Sequence, residues 1–260
     1  MDGVNRSRTH TGPVAVVTGA SRGLGAGLAA AFAARGLRLG LCARARPERP
    51  AEHAVPAEVL VASVDVTDAA AVDAFAGAVV GRFGAIDLWV NNAGVLGPIG
   101  PVADADPVAL HTHLDTNILG VVHGSAAFLR HLRARTGDGV LVNVTSGAAT
   151  TPYEGWAAYC ASKAAVDMFT AVVAVEGRPH GLRAYALAPG HVDTDMQALI
   201  RSTPADAFPS VPRFRRVHEE GGFNSPAWVA RFILDELVGR PRGPHGGALE
   251  EVRRRVPDEP

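Results

Sequence analysis

Lys163 is the only lysine in a chain of 260 residues; the other 24 of its 25 Lys and Arg side chains are arginine. It follows Tyr159 by four positions, in Tyr159-Cys160-Ala161-Ser162-Lys163. Chance sets the baseline: with three tyrosines, a lone lysine falls at this offset about 3 times in 260. On a helix, positions i and i+4 share one face about 5–6 Å apart, so both groups can reach one substrate. Arginine serves equally well as a surface charge. Its planar fork does not fit where a compact ammonium must sit beside a phenol and a sugar hydroxyl. A phenol with an ordinary pKa of about 10 shuttles protons poorly at neutral pH. An ammonium one turn away favours the phenolate and brings the tyrosine toward the working range. The pair reads as an acid–base couple.

A second cluster, Thr18-Gly19-Ala20-Ser21-Arg22-Gly23-Leu24-Gly25, joins a short apolar run to an amphipathic one. Gly19 permits a tight turn, Gly23 lets backbone approach a pyrophosphate, and Gly25 allows close helix–strand packing. Ser21, Arg22 and Leu24 fall inside the same cradle, and the helix that follows offers free N–H groups to phosphate. The spacing is G-x-x-x-G-x-G, not the general G-x-G-x-x-G fingerprint. An acidic residue ending the second strand would bond the adenosine ribose and select NAD. That strand ends Cys42-Ala43-Arg44, without a carboxylate. Arg44 and Arg22 would clamp a 2′-phosphate, since guanidinium matches phosphate geometry. They would otherwise be two surface arginines in an arginine-rich chain. The expectation is NADP(H) over NAD(H).

The elements that must hold these groups alternate. Short apolar runs mark strands at Val14–Thr18, Leu37–Cys42, Glu58–Ala62, Ile86–Val90, Val140–Val144 and Arg183–Leu187. Amphipathic runs between them mark helices at Leu24–Arg35, Asp68–Arg82, Val108–Ala134 and Ala157–Val175, with a last one at Pro226–Val238. This βαβα order predicts a single-domain α/β fold, a Rossmann-like doubly wound parallel sheet with helices on both faces. Pro47, Pro50 and Pro56 break the second crossover. Residues 1–12 read as a flexible tail, 13–250 as the domain with a substrate loop near 191–225, and 251–260 as a C-terminal tail. Asp193–Gly222 reads as a mixed loop with short helical turns, a lid. Gly246-Gly247-Ala248-Leu249 is the one remaining candidate for a last strand.

Composition narrows the classes. A formal charge of -1 gives no electrostatic reason to bind nucleic acid or anionic membrane. Arg253–Arg255, flanked by Glu250, Glu251, Asp258 and Glu259, reads as a solvated terminus. Cys42 and Cys160 sit in apolar segments with no metal or redox spacing, as reduced thiols in a cytoplasmic protein. No run approaches the length of a membrane span. His111 and His113, at i and i+2, lie on different helix faces and make no metal pair.

Together the motifs resemble the short-chain dehydrogenase/reductases across residues 13–240. They are the glycine loop, Asp65-Val66-Thr67-Asp68, Asn91-Asn92-Ala93-Gly94, Asn117, Ser146, Tyr159-x-x-x-Lys163 and Pro189-Gly190. The resemblance implies a catalytic tetrad of Asn117, Ser146, Tyr159 and Lys163. Ser146 would hydrogen-bond the substrate carbonyl. Lys163 would hold the nicotinamide ribose, and Asn117 would position a water linking Lys163 to solvent. Asp65 and Val66 would meet adenine. Asn92, Ala93 and Gly94 would support the adenosine ribose, although Asn92 serves equally well as a buttress between strands. Val192 and Thr194, after Pro189-Gly190, would meet the carboxamide.

Pocket candidates flank these motifs: Leu96, Ala148, Tyr153, Trp156, His191, Met196, Phe208 and Phe214. Trp156 and Tyr153 read equally well as ordinary packing; His191 reads first as a solvated or packing histidine and second as a grip on a polar substrate group. Asp193-Thr194-Asp195-Met196-Gln197, with Phe208-Pro209 and Ser225-Pro226, is similar to the sepiapterin reductase and benzil reductase branch. No clear pterin-anchoring aspartate stands in Gly243–Glu251, so an aromatic or dicarbonyl ketone fits better than a pterin. The resemblance implies an NAD(P)-dependent oxidoreductase and a homodimer or homotetramer. The same residues would serve an alcohol dehydrogenase running oxidatively. A cofactor sensor without turnover would need the glycine loop but neither Ser146 nor Tyr159.

Overall fold

Runs of Val, Leu and Ala too short for helices form one parallel sheet in the computed structural model, which describes residues 12–50, 58–239 and 248–260. The strands are β1 Val14–Thr18, β2 Arg38–Ala43, β3 Val59–Ser63, β4 Leu88–Asn91, β5 Gly139–Val144, β6 Leu182–Ala188 and β7 Arg253–Arg255. Their order is β3-β2-β1-β4-β5-β6-β7, and every neighbouring pair is parallel. The chain winds outward from β1 in one direction, then returns to start β4 on the other side. Connections therefore diverge above the carboxyl ends of β1 and β4, opening the crevice where ligands bind in such sheets.

Period-two alternation explains the two cores. Ala15 and Val17 face one side with Leu28 and Phe32 of α1 (Gly23–Ala34) and Val229 of α8 (Pro226–Phe232). Val14 and Val16 face the other. There they meet Phe75 and Val79 of α2 (Ala69–Phe83), Phe128 of α4 (Gly120–Arg133) and Ala171 and Ala174 of α5 (Ala157–Gly177). Because both faces are covered, β1 is buried at every position and apolar up to Thr18, its last residue. Each fully buried Leu, Val or Phe stabilises the fold by about 1.5–3 kcal/mol relative to exposure.

The long helical run expected at Val108–Ala134 is α3 (Pro107–Leu114), one π-helical turn (Asp115–Leu119) and α4. Asp106 caps its start by accepting from Val108 N and Ala109 N. The π turn carries Asn117, and such turns concentrate at functional sites. The stretch expected to form a mixed loop, Asp193–Gly222, contains α6 (Asp195–Ser202) and α7 (Val211–Glu219). After α8 the chain adds a π-helical segment, Ile233–Val238. Residues 44–50 after β2 form no helix, as the prolines require; Pro56 lies outside the described residues.

The C-terminal reading needs correction. Ala248-Leu249 leads into α9 (Leu249–Val252), and Gly246-Gly247 lies outside the described residues, as do residues 1–11. The expected solvated tail from residue 251 contains β7, whose Arg253, Arg254 and Arg255 pair with Ala186, Leu187 and Ala188 of β6. An all-arginine strand succeeds because its neighbours Val252 and Val256 are fully buried and its charges find partners. Arg253 Nε lies 2.6 Å from buried Asp167, and the Arg254 guanidinium sits 5.5 Å from the Tyr185 ring centre. Local composition hid a strand whose partners are far away in sequence.

A second correction concerns length. With its following turn, α5 runs Ala157–His180, 24 residues long and apolar enough by composition to cross a membrane. Its buried face packs against β6, and it carries buried Lys163, Asp167 and Thr170, so its apolar character is that of a core helix.

Candidate active site

The glycine loop forms where β1 hands over to α1. Gly19 has φ 66°, and a Cβ there would stand 2.7 Å from Ala93 Cα, so only glycine lets the β1 and β4 loops touch. Asn92 staples them, donating from Nδ2 to Thr18 O (3.0 Å) and Gly19 O (3.2 Å). Thr18 Oγ1 in turn accepts from the N–H groups of Asn92 and Ala93. Of the two readings open for Asn92, these bonds favour the buttress. At the start of α1, the Arg22 side chain makes no capping bond, and no acidic residue stands in the first turn. A twelve-residue helix with open N-terminal N–H groups and a backbone-only loop above it fits a phosphate.

Around this cradle, Arg44 lies exposed, and its charge reaches Asp65. The Asp65 carboxyl is held below its usual range, first by Thr67 N, whose bond to Oδ1 is 2.9 Å, then by Thr67 Oγ1 and Arg44. Buried Val66 packs beside Gly120. Arg22, expected beside Arg44, instead pairs with Asp195 of α6 at 2.8 Å. Thr194 stands at the N-cap position of α6 without a side-chain capping bond, and a Cβ on Gly23 would come within 3.2 Å of its methyl. The loop after β6 closes the far end. Asn224 Nδ2 donates to Pro189 O at 2.9 Å, Gly190 turns with φ 78°, and Val192 is buried.

Along α5, Tyr159 and Lys163 share the face predicted, with Lys163 Nζ 5.5 Å from the Tyr159 ring centre. Lys163 Nζ donates to Val144 O at 3.0 Å. Ser146, just past β5, caps a short turn by accepting from Ala148 N, and its hydroxyl draws the Tyr159 pKa down. Burial pushes Tyr159 up to about 12 against that pull. Burial likewise lowers Lys163 to about 8, partly offset by the negative charge of Asp167. This differs from the simple expectation of an ammonium bringing a phenol into range: desolvation outweighs the pairwise attraction. A neutral phenol has a proton to donate, and a lysine near 8 can pass one on.

Asn117 is fully buried and bonds both ends of its amide to Val95, accepting from N and donating to O, each at 2.8 Å. A Cβ on Gly94 would lie 3.3 Å from Asn117 Oδ1 and 3.8 Å from Lys163 Nζ, so this glycine keeps the space over the lysine open. The chemistry of that space suits a ribose: an ammonium, backbone and no bulk. Residues from the phosphate cradle to Gly94 and Lys163 thus fit one extended dinucleotide.

Around Tyr159, Leu96, Ala148, Trp156, Phe208 and Phe214 form one buried cluster, with Tyr153 and Met196 packed against it. Trp156 stacks on Phe208 with centroids 4.3 Å apart and planes 3° from parallel. It meets Tyr159 edge-on at 5.5 Å. His191 meets Phe214 edge-on at 5.6 Å and is held toward neutrality by burial, then by Arg213. All the pocket candidates converge here.

Sequence reasoning missed three features. Asp167, four residues past Lys163, is buried and paired with Arg253. His113, four residues before Asn117, is buried against it. Asn91, Asn143, Ser125 and Thr170 form a buried ladder, including Asn91 Nδ2 to Asn143 Oδ1 at 2.8 Å, which ties β4 to β5 and α5. The i, i+4 spacings of the first two were visible; their burial was not.

A dinucleotide cradle meeting a buried Tyr–Lys–Ser set defines an oxidoreductase of the parallel α/β class. Residues 13–205 match the short chain dehydrogenase family model, and the chain belongs to that family. It is similar to the benzil reductase ((S)-benzoin forming) of Bacillus subtilis (strain 168), 30% identical over 240 residues, 92% of this chain and 97% of that protein. The Bacillus cereus benzil reductase is 39% identical over 150 residues, 57% of this chain and 60% of its own length. Among solved structures, KRED1-Pglu superposes with a TM-score of 0.80 at 32% identity, over 94% of this chain and all of that one. An actinorhodin polyketide ketoreductase variant with NADPH gives a TM-score of 0.76 at 28% identity, over 95% and 97% of the two chains.

Proposed function

We propose that the protein reduces an aromatic ketone or vicinal dicarbonyl to an alcohol with NADPH, Tyr159 acting as general acid. The observation that carries this reading is the buried Tyr159 ring, edge-on to the Trp156–Phe208 stack and one helical turn from Lys163, with burial keeping its phenol protonated. Similarity to two benzil reductases and to an NADPH-bound ketoreductase supports it.

The cofactor, when bound, supplies a hydride to the carbonyl carbon. Ser146 and Tyr159 donate hydrogen bonds to the carbonyl oxygen, and Tyr159 gives its proton as negative charge develops there. Lys163 holds the ribose and replaces that proton, with Asn117 keeping the relay to solvent in place. Arg44 binds the 2′-phosphate, while Gly19, Ser21, Arg22, Gly23, Leu24 and Gly25 enclose the pyrophosphate. Asp65 and Val66 meet adenine, Asn92, Ala93 and Gly94 back the ribose, and Pro189, Gly190, Val192 and Thr194 meet the carboxamide. Ala148, Tyr153, Trp156, His191 and Met196 surround the aryl group. A phenol raised to about 12 stays protonated at neutral pH, the form that the reductive direction needs at the start of a turnover.

Exposed Met168, Val172 and Val175 give α5 an apolar outer stripe, which supports self-association into a homodimer or homotetramer. The near-neutral charge suits a cytoplasmic protein acting on small molecules without nucleic acid or membrane. The test is NADPH oxidation with benzil, a pterin and simple ketones. Benzil should turn over fastest, and Tyr159→Phe should lower kcat by about a thousandfold. Equal turnover by Tyr159→Phe would overturn the assignment.

A further inference from the structure

His113 stands at a junction that none of the roles above uses. Its ring is buried between the loop after β4, the π turn and α5. Nδ1 lies 2.6 Å from Gly97 O, and a carbonyl only accepts, so Nδ1 carries the proton. Nε2 lies 3.0 Å from Asn117 Nδ2, which only donates, so Nε2 is a bare acceptor. The Val95 bonds to both ends of the Asn117 amide rule out the flipped amide that would reverse this logic. Ser162 Oγ, 3.1 Å from Nε2, donates to Tyr159 O at 2.9 Å. One neutral imidazole thus joins Gly97, beside pocket residue Leu96, to Asn117 and to the turn of α5 that carries Tyr159.

We infer that His113, fixed as its Nδ1–H tautomer, is the positioning residue that holds the Asn117 amide and registers it against the Tyr159 turn, so that turnover requires this imidazole to be neutral. The inference rests on the tetrad reading above. Protonation would put an Nε2–H where the Asn117 Nδ2–H now finds its acceptor; the new donor would turn to Ser162 Oγ, and the amide N–H would lose its bond to the ring. The titratable groups facing the ring are Tyr159 and Lys163 of α5; the loop contributes only the Gly97 carbonyl. Burial outweighs the Gly97 and Ala158 backbone bonds that favour the imidazolium, and the Lys163 charge adds to it, so the ring is held toward neutrality.

Two conservative variants separate the contacts. The Gln side chain in His113→Gln places a carbonyl near the Nε2 position, and the Asn side chain in His113→Asn places a donor near Nδ1. Assayed with benzil and NADPH, His113→Gln should keep kcat within about threefold, while His113→Asn should lose about tenfold with NADPH affinity unchanged. The wild type should also lose kcat toward acid pH as the ring protonates, and His113→Gln should lack that limb. Both variants matching wild type, or Asn rescuing where Gln fails, would overturn the inference. Tyr159→Phe run in parallel tells the two failures apart: full activity there sinks the tetrad reading itself. A long-range ¹H–¹⁵N spectrum decides independently of turnover. Neutral Nδ1–H at pH 7 is expected, and an Nε2–H tautomer or imidazolium refutes it.

Discussion

The molecule pairs opposite charges around the site in two regions. Beneath Lys163, Asp167 is buried, takes the Arg253 guanidinium at 2.6 Å and lends its charge to the lysine. Above the glycine loop, Arg22 pairs with Asp195 at 2.8 Å, with both side chains about three-quarters in solvent. The distances are alike and the consequences differ. Water screens the upper pair, so it contributes little and exchanges partners readily. The lower pair is shielded, so each member depends on the other and on the lysine between them and the tyrosine. One region is built to let go of its charges for a ligand, and the other to keep them.

Breaking the lower pair should produce the largest effect on stability. Asp167→Ala leaves Arg253 half-shielded without its carboxylate and should cost about 3 kcal/mol, the lower end for a buried pair. Urea unfolding measures it, and a loss below about 1 kcal/mol would place this pair with the surface ones. Asp167→Asn, milder in shape, should lower the Lys163 pKa further, because it deletes the one charge that raises it.

Lys163 itself gives the next effect. Its folded pKa is depressed, from 10.5 to about 8, so the unfolded chain holds the proton longer. Stability from this group is therefore present above pH 10.5 and lost as pH falls through about 8. Between pH 8 and 9 wild-type stability should gain up to about 1.4 kcal/mol per pH unit relative to Lys163→Met. Cys42, raised from 9.0 to about 12 by burial, titrates in both proteins and cancels from this difference. A flat difference would mean that the lysine is not desolvated.

The lower region also shows where the sequence was legible. Tyr159 and Lys163 announced themselves because helical spacing is local and the lysine was unique. Strand β1 was placed residue for residue because its flanking glycines and continuous burial are local too. β7 was not legible. Its stability comes from Asp167, Tyr185 and β6, at least 65 positions away, and nothing in Arg253-Arg254-Arg255 encodes them. The same holds for the direction of the Tyr159 shift. Spacing reveals a neighbouring charge, whereas desolvation requires knowing what covers the pair. Nor did the glycine-loop residues tell which partner Arg22 takes.

The upper region yields two smaller predictions. Arg44 is exposed, and its role is a charge-assisted contact with the 2′-phosphate. Arg44→Ala should weaken NADPH binding about tenfold in titration calorimetry and leave NADH unchanged. An equal loss for both cofactors would show that Arg44 serves the adenosine and not the phosphate.

The smallest effect separates the two regions most sharply. Asp195→Asn removes the Arg22 partner without changing shape. An exposed pair is worth at most about 1 kcal/mol, so thermal stability should barely move. The freed guanidinium should instead tighten NADPH binding by up to about threefold, with the gain shrinking as salt rises through the physiological range. Because Asp195 begins α6, the same change should loosen the lid over the glycine loop and speed NADPH release. Stopped-flow traces read both constants. A faster off-rate that cancels the gain in affinity would make the pair a tether for the lid. Unchanged rates would mean that Arg22 and Asp195 are surface charges that happen to meet.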